Sequence, residues 1–369
     1  MDPRVTCLDA RREREAISGH WGDLCTGSQR SRGLATSGDW FWSNLDWVSP
    51  PEHRLRFVAI RDHGRVIGLF PVEERYIVLS GIRVRCTGFI HGPYALGDTA
   101  VVTDDDVERS VEGFVSFLFD DMLGWRCFST EGIDADSRVG RSLIAALSAR
   151  ARVIDRGSEE MPYVSFADGW QGYIDSRSAN FRRNIKRAVR GLTDVGRLDY
   201  RSATGPGAID LVESIDLRSW RVAKEGDVAT NARLVEYCRN LYRTFPDPAA
   251  HVVRYLALDG VPVASLYGFI HENVFYGIKV NYDISISAGS PGLVLLTRAF
   301  EELASRGIAR IELMGRNEYL RRLASASHRM SRFLVFNRTS SGRALGLAAS
   351  AALRLQSLRP RKPRTAVQE

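Results

Sequence analysis

The sequence predicts a mixed α/β protein made of two units that share one order of elements, and three observations carry that expectation. First, the chain has 369 residues of which 44% are hydrophobic and 26% charged, a globular balance that excludes wholesale disorder, collagen-like repeats and a coiled-coil rod. Second, at about 100–200 residues per domain this length accommodates two domains, each with a sizeable core. Third, the halves share a hairpin: Arg56-FVAI, DHG and RVIGLF line up with Arg254-YLAL, DG and VPVASLY, apolar runs meeting across glycine turns at Gly64 and Gly260.

The first half opens on a tryptophan-rich segment (Trp40, Trp42, Trp47), followed by the strands RFVAI and RVIGLFPVEE. A glycine-rich connection leads to TDDDVERSVEGFVSFLFDDML, a helix capped by Thr103 or a neighbouring aspartate, with acids at its positive end. WRCFSTEGI then reads as a strand, DSRVGRSLIAALSARA as a helix and MPYVSF as a strand. The second half opens on two helices, AIDLVESIDLRSW and ATNARLVEYCRNLYRTF, then repeats the grammar. HVVRYLALDG, VPVASLYGFIHE and NVFYGIKVNYD are strands, PGLVLLTRAFEELASRG a helix, IARIELMG a strand, NEYLRRLAS a short helix and SRFLVFNR a closing strand. The expected division is residues 1–165, 166–340 and a terminal segment 341–369, in which an Ala-rich helix precedes the basic tail RPRKPR. That helix is too short to span a bilayer; residues 343–364 are weighed as a peripheral membrane contact against a packed helix with a free tail.

The net charge of +7 is not evenly spread. Residues 177–201 hold eight bases and two acids, and residues 343–369 six bases and one acid, so the remainder is slightly acidic. A local cluster creates a field that holds an anion, where an even spread only confers solubility. Around Asn180 to Leu192, Arg182, Lys186 and Arg190 recur every four residues with Arg183 and Arg187 beside them, a cationic helix face opposed by Phe181, Ile185, Ala188, Val189 and Leu192. Arg182, Arg183, Lys186 and Arg190 therefore form the expected anion or acceptor patch, for phosphates of a donor or for a backbone such as tRNA. No aromatic residues interleave on that face, so base reading, and DNA as a partner, are not expected.

Five scattered cysteines (Cys7, Cys25, Cys86, Cys127, Cys238) include no Cys-x-x-Cys pair, and the seven histidines have no ligand-like spacing. No metal is expected. No segment reaches the roughly 18–20 apolar residues of a membrane span, nor does the start resemble a secretory signal, so the expected location is the cytoplasm.

The chemistry-bearing residues lie late in the chain. Ser290-Pro291-Gly292 precedes a strongly periodic helix (Leu293, Leu296, Phe300, Leu303), where unpaired N–H groups and the positive dipole end make an anion site and Gly292 permits close backbone approach. The plainer reading is a serine cap with proline at the first helical position. With Tyr282-Asp283, Leu295-Leu296, Gly307, Glu312, Gly315, Glu318-Tyr319 and Arg321, this order resembles the closing pattern of the acetyltransferase-like family within the GNAT superfamily, whose members include proteins named for cellulose biosynthesis. Its arginine-rich helix is matched by Asn180, Arg182, Arg183, Arg190, Leu192 and Gly196. The chain departs from the pattern at Glu312, where Asp is usual, at Leu320-Arg321, where Lys follows the tyrosine, and in having Ser290-Pro291-Gly292 instead of the glycine-rich phosphate loop.

That resemblance, over roughly residues 40–338, implies two tandem GNAT-like units, each a mixed, mostly antiparallel sheet flanked by helices, with the second unit catalytic and the first shaping the acceptor cleft. It implies acyl-CoA as co-substrate and an amine acceptor on a small molecule, saccharide or peptide. The donor would lie along a splayed strand FYGIKVNYD, touching Val280 and Asn281, with its pyrophosphate over Ser290, Pro291, Gly292 and Leu293. Tyr319 would serve as the acid for the leaving thiolate and Glu318 or Asp283 as the base or amine ligand. Two other readings stay open: an aminoacyl-tRNA donor, as in the transferases of peptidoglycan bridge synthesis, and a scaffold that binds without catalysis.

Overall fold

The computed structural model describes residues 4–26, 33–48, 53–79, 82–90, 100–122, 124–205, 207–219, 228–245, 247–286, 289–315 and 317–358. In chain order the first elements are β1 (Arg4–Asp9), α1 (Arg14–Thr26), α2 (Gly38–Val48), β2 (Arg54–Asp62), β3 (Arg65–Leu79), β4 (Ile82–Phe89) and β5 (Val101–Val102). Next come α3 (Val107–Ser116), β6 (Cys127–Asp134), α4 (Arg138–Arg150), β7 (Val153–Ser165), α5 (Gly169–Ser176), α6 (Ala179–Thr193) and β8 (Leu198–Ala203). Then follow α7 (Ala208–Asp216), α8 (Val228–Thr244), β9 (His251–Leu258), β10 (Val261–His271), β11 (Val274–Tyr282), α9 (Pro291–Ser305), β12 (Arg310–Glu312), α10 (Glu318–Leu323), β13 (Ala326–Phe336) and α11 (Ser340–Leu358).

The chain forms two compact units, and the expected duplication is visible in both. In each, an antiparallel hairpin (β2–β3, β9–β10) continues into a third antiparallel strand (β4, β11), a helix (α3, α9) and a parallel strand (β6, β12). Even the hairpin turns coincide: His63 and Gly64 have φ of 47° and 84°, Asp259 and Gly260 of 50° and 84°. Two successive positive φ values define the two-residue turn whose twist matches a right-handed strand pair, which is why glycine holds the second place.

The division of the chain differs from the sequence expectation. The first unit is Met1–Arg30, Val48–Glu159 and Arg329–Glu369; the second is Ser31–Trp47 and Glu160–His328. The last strands of the two halves are exchanged. β13 pairs with β6 from Met330↔Asp134 to Phe336↔Cys127, and β7 pairs with β12 from Arg310↔Ser165 to Glu312↔Tyr163. A strand edge offers backbone groups that either apolar strand satisfies, so sequence pattern does not say which one takes it. The early segment crosses over as well: the Leu34 N–H donates to Tyr276 Oη (2.9 Å), Asn240 donates to the Ser43 carbonyl, and Trp40 meets Phe269 edge-on. Leu345 and Ala349 of α11 pack on Phe336 and Leu334, so this helix is part of the first unit. The tail RPRKPR lies outside the described residues.

In the second unit, α9 buries Val294, Leu295, Phe300 and Leu303 against Phe275, Ile311 and Val164 of the sheet, with Ala188 and Leu192 of α6 in the same core. One rim of this core is held by Glu302, which accepts from Arg254 (2.5 and 2.7 Å) and from Tyr200 Oη (2.7 Å). Arg254 foremost, then Tyr200, hold its carboxyl at about 2 against the opposing effect of partial burial. A folded-state value below the ordinary 4.5 means that this stabilisation is complete above that pH and disappears as pH falls towards 2. Glu302→Gln should therefore lower the melting temperature at neutral pH and flatten its decline between about pH 5 and 2. Melting curves across that range with an unaltered acid limb would show that the cluster contributes nothing.

Candidate active site

β11 and β12 run parallel but are paired only from Val274↔Arg310 to Tyr276↔Glu312. On its other edge β11 stays paired with β10 as far as Ala264↔Tyr282. Among the described residues, 277–282 therefore present one backbone edge with no strand beside it, the splay that the sequence resemblance implies for FYGIKVNYD. β12 is short because the chain turns away at Met314, with φ of 52°, and at Gly315, where an added Cβ would stand 2.3 Å from Leu320 Cδ1. β11 also carries a bulge: the register shifts between Tyr267 and Gly268, which inserts Ile278 and re-aims the residues after it.

α9 starts at the mouth of this opening. Ser290 is its N-cap but makes no side-chain capping bond, and Pro291 follows at the first turn. Of the plainer reading, the structure shows Ser290 at the cap position and Pro291 at the first turn, but no capping bond from the serine side chain. The N–H groups of Gly292 and Leu293 have no intrahelical acceptor and face the positive end of the dipole. Space above Gly292 is already tight: a Cβ there would meet the Tyr282 ring at 3.2 Å and Tyr319 Oη at 3.5 Å. Gly289, with φ of 67°, lies against the Ala188 carbonyl and Leu192 of α6, so the basic helix supports the loop.

Tyr319 is thus brought to the start of α9. It is carried by α10, whose first turn is capped by Asn317 Oδ1 accepting from the Leu320 N–H (2.8 Å). The far end is tied to α5 and the α5–α6 turn by Tyr173 Oη donating to the Leu323 carbonyl (2.7 Å) and by Arg177 donating to that of Ala324. Burial, then the neighbouring Tyr282 and Tyr173, push the Tyr319 hydroxyl well above the ordinary phenol value. A phenol in that state keeps its proton and remains a hydrogen-bond donor.

The other residues singled out by sequence lie elsewhere. Asp283 is buried and committed: Oδ2 accepts from Arg218 Nε (2.6 Å), and Oδ1 from the Ser285 N–H (2.9 Å) and hydroxyl (2.6 Å). Desolvation alone would raise its carboxyl, but the Ser285 bonds and Arg218 hold it below the usual range. It closes the turn after β11, and neither oxygen is left for an acceptor. Glu318 is exposed and lies 3.9 Å from Arg322. The Val280 side chain packs into the core, and Asn281 donates to Asp216. Only the backbone of these two faces the open edge.

The basic patch divides. Arg182 turns inward and caps α5 by donating to the carbonyls of Asp175 (3.0 Å) and Arg177 (2.7 Å), so it does not join an anion-binding face. Arg183, Lys186 and Arg190 are exposed and carry no ion pair among the described residues.

Sequence reasoning missed two features of this unit. Lys279 Nζ lies 3.0 Å from Asp216 Oδ2, with both side chains sealed from solvent, and ties the unpaired half of β11 to α7. Glu312, at the last paired position of β12, has His328 Nε2 (3.1 Å) and Arg310 Nε (2.7 Å) on Oε1. Its sequence signal was its place in the closing pattern, at a strand end just before Gly315, and what the sequence did not show was its partners.

The equivalent place in the first unit is closed. β4 and β6 separate after Gly88↔Ser129, but the Arg75 guanidinium fills that point, bonded to Glu73, the Phe89 carbonyl (3.3 Å) and Ser129 Oγ (3.1 Å). The turn leading into α3 carries Asp104, Asp105 and Asp106, which repel an anion where α9 has Ser290, Pro291 and Gly292. Thr103 makes no capping bond to the backbone there; its hydroxyl donates to Asp106 (2.8 Å).

Among the described residues no group of three or more His, Cys, Asp or Glu is placed to hold a metal ion, and no helix is long and apolar enough to cross a membrane. Residues 179–322 match the family model of the acetyltransferase (GNAT) domain. The crystal structure of FemX superposes with a TM-score of 0.60 over 90% of this chain and 98% of that one, at 8% identity. A conserved protein of unknown function from Bacteroides thetaiotaomicron superposes with a TM-score of 0.51 over 87% of this chain and 97% of that one, at 14% identity. These likenesses are of fold. A tandem GNAT protein from the clavulanic acid biosynthesis pathway aligns over 91% of this chain at 13% identity, but its TM-score of 0.47 lends no weight. No curated protein matches the chain.

Proposed function

We propose that the second unit is an acyltransferase that moves an acyl group from acyl-CoA to an amine on a small molecule, saccharide or peptide. The observation that carries this reading is the coincidence, at one place, of the open edge of β11, the uncapped start of α9 and the Tyr319 hydroxyl. The amides of the donor's pantetheine arm bond to the free backbone groups of residues 277–282, and its phosphates to the N–H groups of Gly292 and Leu293. The attacking amine gives up a proton to solvent as its nitrogen bonds to the thioester carbon, the carbon–sulfur bond breaks, and the thiolate is protonated from solvent; the Tyr319 hydroxyl, beside Gly292, is a further donor to the phosphates.

Ser290→Asp tests the donor site without breaking the helix. Ser290 is exposed at the N-cap, where an aspartate suits the dipole, so the fold is retained, but it sets a negative charge where the phosphates bind. Calorimetry with acetyl-CoA and longer acyl-CoA thioesters should show binding to the wild type and a loss of about tenfold or more in the variant, equivalent to at least about 1.4 kcal/mol. If no thioester binds the wild type, the reading fails; product formation that RNase abolishes would assign an aminoacyl-tRNA donor instead.

A further inference from the structure

We infer that the acyl thioester reaches the second unit on an acidic carrier protein, which docks along the outer face of α6; the inference rests on the acyltransferase reading above. A carrier protein bears its acyl group on a phosphopantetheine arm, so it presents to β11 and to the start of α9 the same arm and first phosphate as CoA. The two donors differ in what lies beyond that phosphate, a nucleotide in one and a folded protein in the other. The surface around the mouth of the opening, at Tyr282 and Gly292, is what distinguishes them.

α6 lies beside that mouth, because Gly289 in the loop before α9 rests against its Ala188 carbonyl and Leu192. Ala188 and Leu192 are buried, whereas Arg183, Lys186 and Arg190 are exposed. At positions i, i+3 and i+7 the three bases fall on one line along the helix, about 10 Å from first to last at 1.5 Å per residue. α6 contains no acidic residue, and none of the three carries an ion pair among the described residues. Other bases of this unit are matched: Arg197 and Arg201 share Asp199, Arg239 has Asp210 and Glu213, and Arg254 has Glu302. Like charges one helical turn apart repel, so an unmatched row is a strain on the free protein that an anionic partner relieves.

The other side of the mouth is apolar. Tyr282, whose ring lies over Gly292, is 36% exposed, and Ile284 and Leu217 are 38% and 55% exposed. The Ile284 N–H donates to the Arg218 carbonyl (3.1 Å), which sets these two segments side by side. Beyond its pyrophosphate CoA has one further phosphate, which does not fill a row of three bases. A tRNA backbone suits the row but gains nothing from exposed apolar side chains. A carrier protein with a row of carboxylates on one helix and apolar residues beside its phosphopantetheine matches both halves of the surface. The carrier leaves with a free thiol, as CoA does.

The test uses the full chain and two donors loaded with the same acyl group, CoA and a phosphopantetheinylated acyl carrier protein, with whichever primary amine in a panel the wild type acylates. At low salt kcat/KM for the carrier-borne donor should exceed that for acyl-CoA by about tenfold or more, and that advantage should shrink as salt screens the row. Lys186→Glu with Arg190→Glu should raise KM for the carrier about 100-fold, and Lys186→Gln with Arg190→Gln about tenfold, since reversal repels where neutralisation only removes attraction. All of these positions are exposed, so neither variant disturbs the core. Losses equal for both donors would assign the row to the nucleotide of CoA, and product formation that RNase abolishes would assign it to a tRNA; either result, or a carrier-borne donor used no better than acyl-CoA, would overturn the inference. Failure of both thioesters to bind the wild type in calorimetry would instead defeat the acyltransferase reading on which it rests.

Discussion

Replacing Lys279 by Met is expected to destabilise the protein by about 3–5 kcal/mol. Lys279 Nζ lies 3.0 Å from Asp216 Oδ2, and the side chains are 2% and 0% exposed. Asn281 donates to the other oxygen, Oδ1, so the carboxylate is matched only while the ammonium is present. Removing the lysine leaves a charge that water cannot reach, with one neutral donor for company; the loss reflects that uncompensated charge more than the worth of the pair. Converting both partners, Asp216→Leu with Lys279→Met, should therefore recover most of the loss, because an apolar pair needs no solvent. Denaturant melts of the two variants decide this. A single variant within 1 kcal/mol of wild type, or a double variant as unstable as the single one, would refute it. The pair has a mechanical consequence too. It joins α7 to the part of β11 that has no neighbour in β12, so a strand that lacks half of its ladder is still held in place.

Tyr319→Phe is expected to weaken acyl-CoA binding about tenfold while turnover at saturating donor stays within threefold of wild type. The hydroxyl stands beside Gly292, at the end of the opening proposed for the phosphates, and the ring is retained in the variant. What is removed is a hydrogen bond to the phosphates at the start of α9. Because the hydroxyl is held above the ordinary value of 10 by burial and by Tyr282 and Tyr173, the wild-type affinity should show no loss of this donor as pH rises through 10. Calorimetry of the donor against pH, with steady-state rates, checks both statements. An affinity within twofold of wild type, or a weakening near pH 10 that the variant abolishes, would reduce Tyr319 to a packing residue.

The periodic elements were legible in the chain because their signals are local. Turn glycines at 64 and 260, the apolar repeat from Leu293 to Leu303, and the period-two strands from His251 to Tyr282 all act within a few residues of themselves. The start of α9 was legible for the same reason, since proline at the first turn and glycine beside it mark a helix end wherever they occur. The candidate site was read less completely. Tyr319 was named for the leaving thiolate but stands beside Gly292, and Asp283 was named for a carboxylate that Arg218, 65 residues earlier, takes up. Arg182 was placed on a cationic face by its spacing, although its side chain caps α5, because periodicity reports the direction of a residue and not its partner.

The sequence by itself determined that this protein is a duplicated α/β chain, that its second half holds a helix starting at Ser290-Pro291-Gly292, and where the tyrosine beside it lies in the order of elements. Only the tertiary structure decided that the halves exchange their last strands, that Arg75 closes the opening in the first unit, and that Glu312 reaches the apex of the opening in the second beside a histidine 16 residues away. The physical reason is one of range. Helices, turns and strands are selected by interactions between near neighbours, whereas strand order and the pairing of buried charges are settled by long-range burial, in which many edges and many partners compete and the best-satisfied combination prevails.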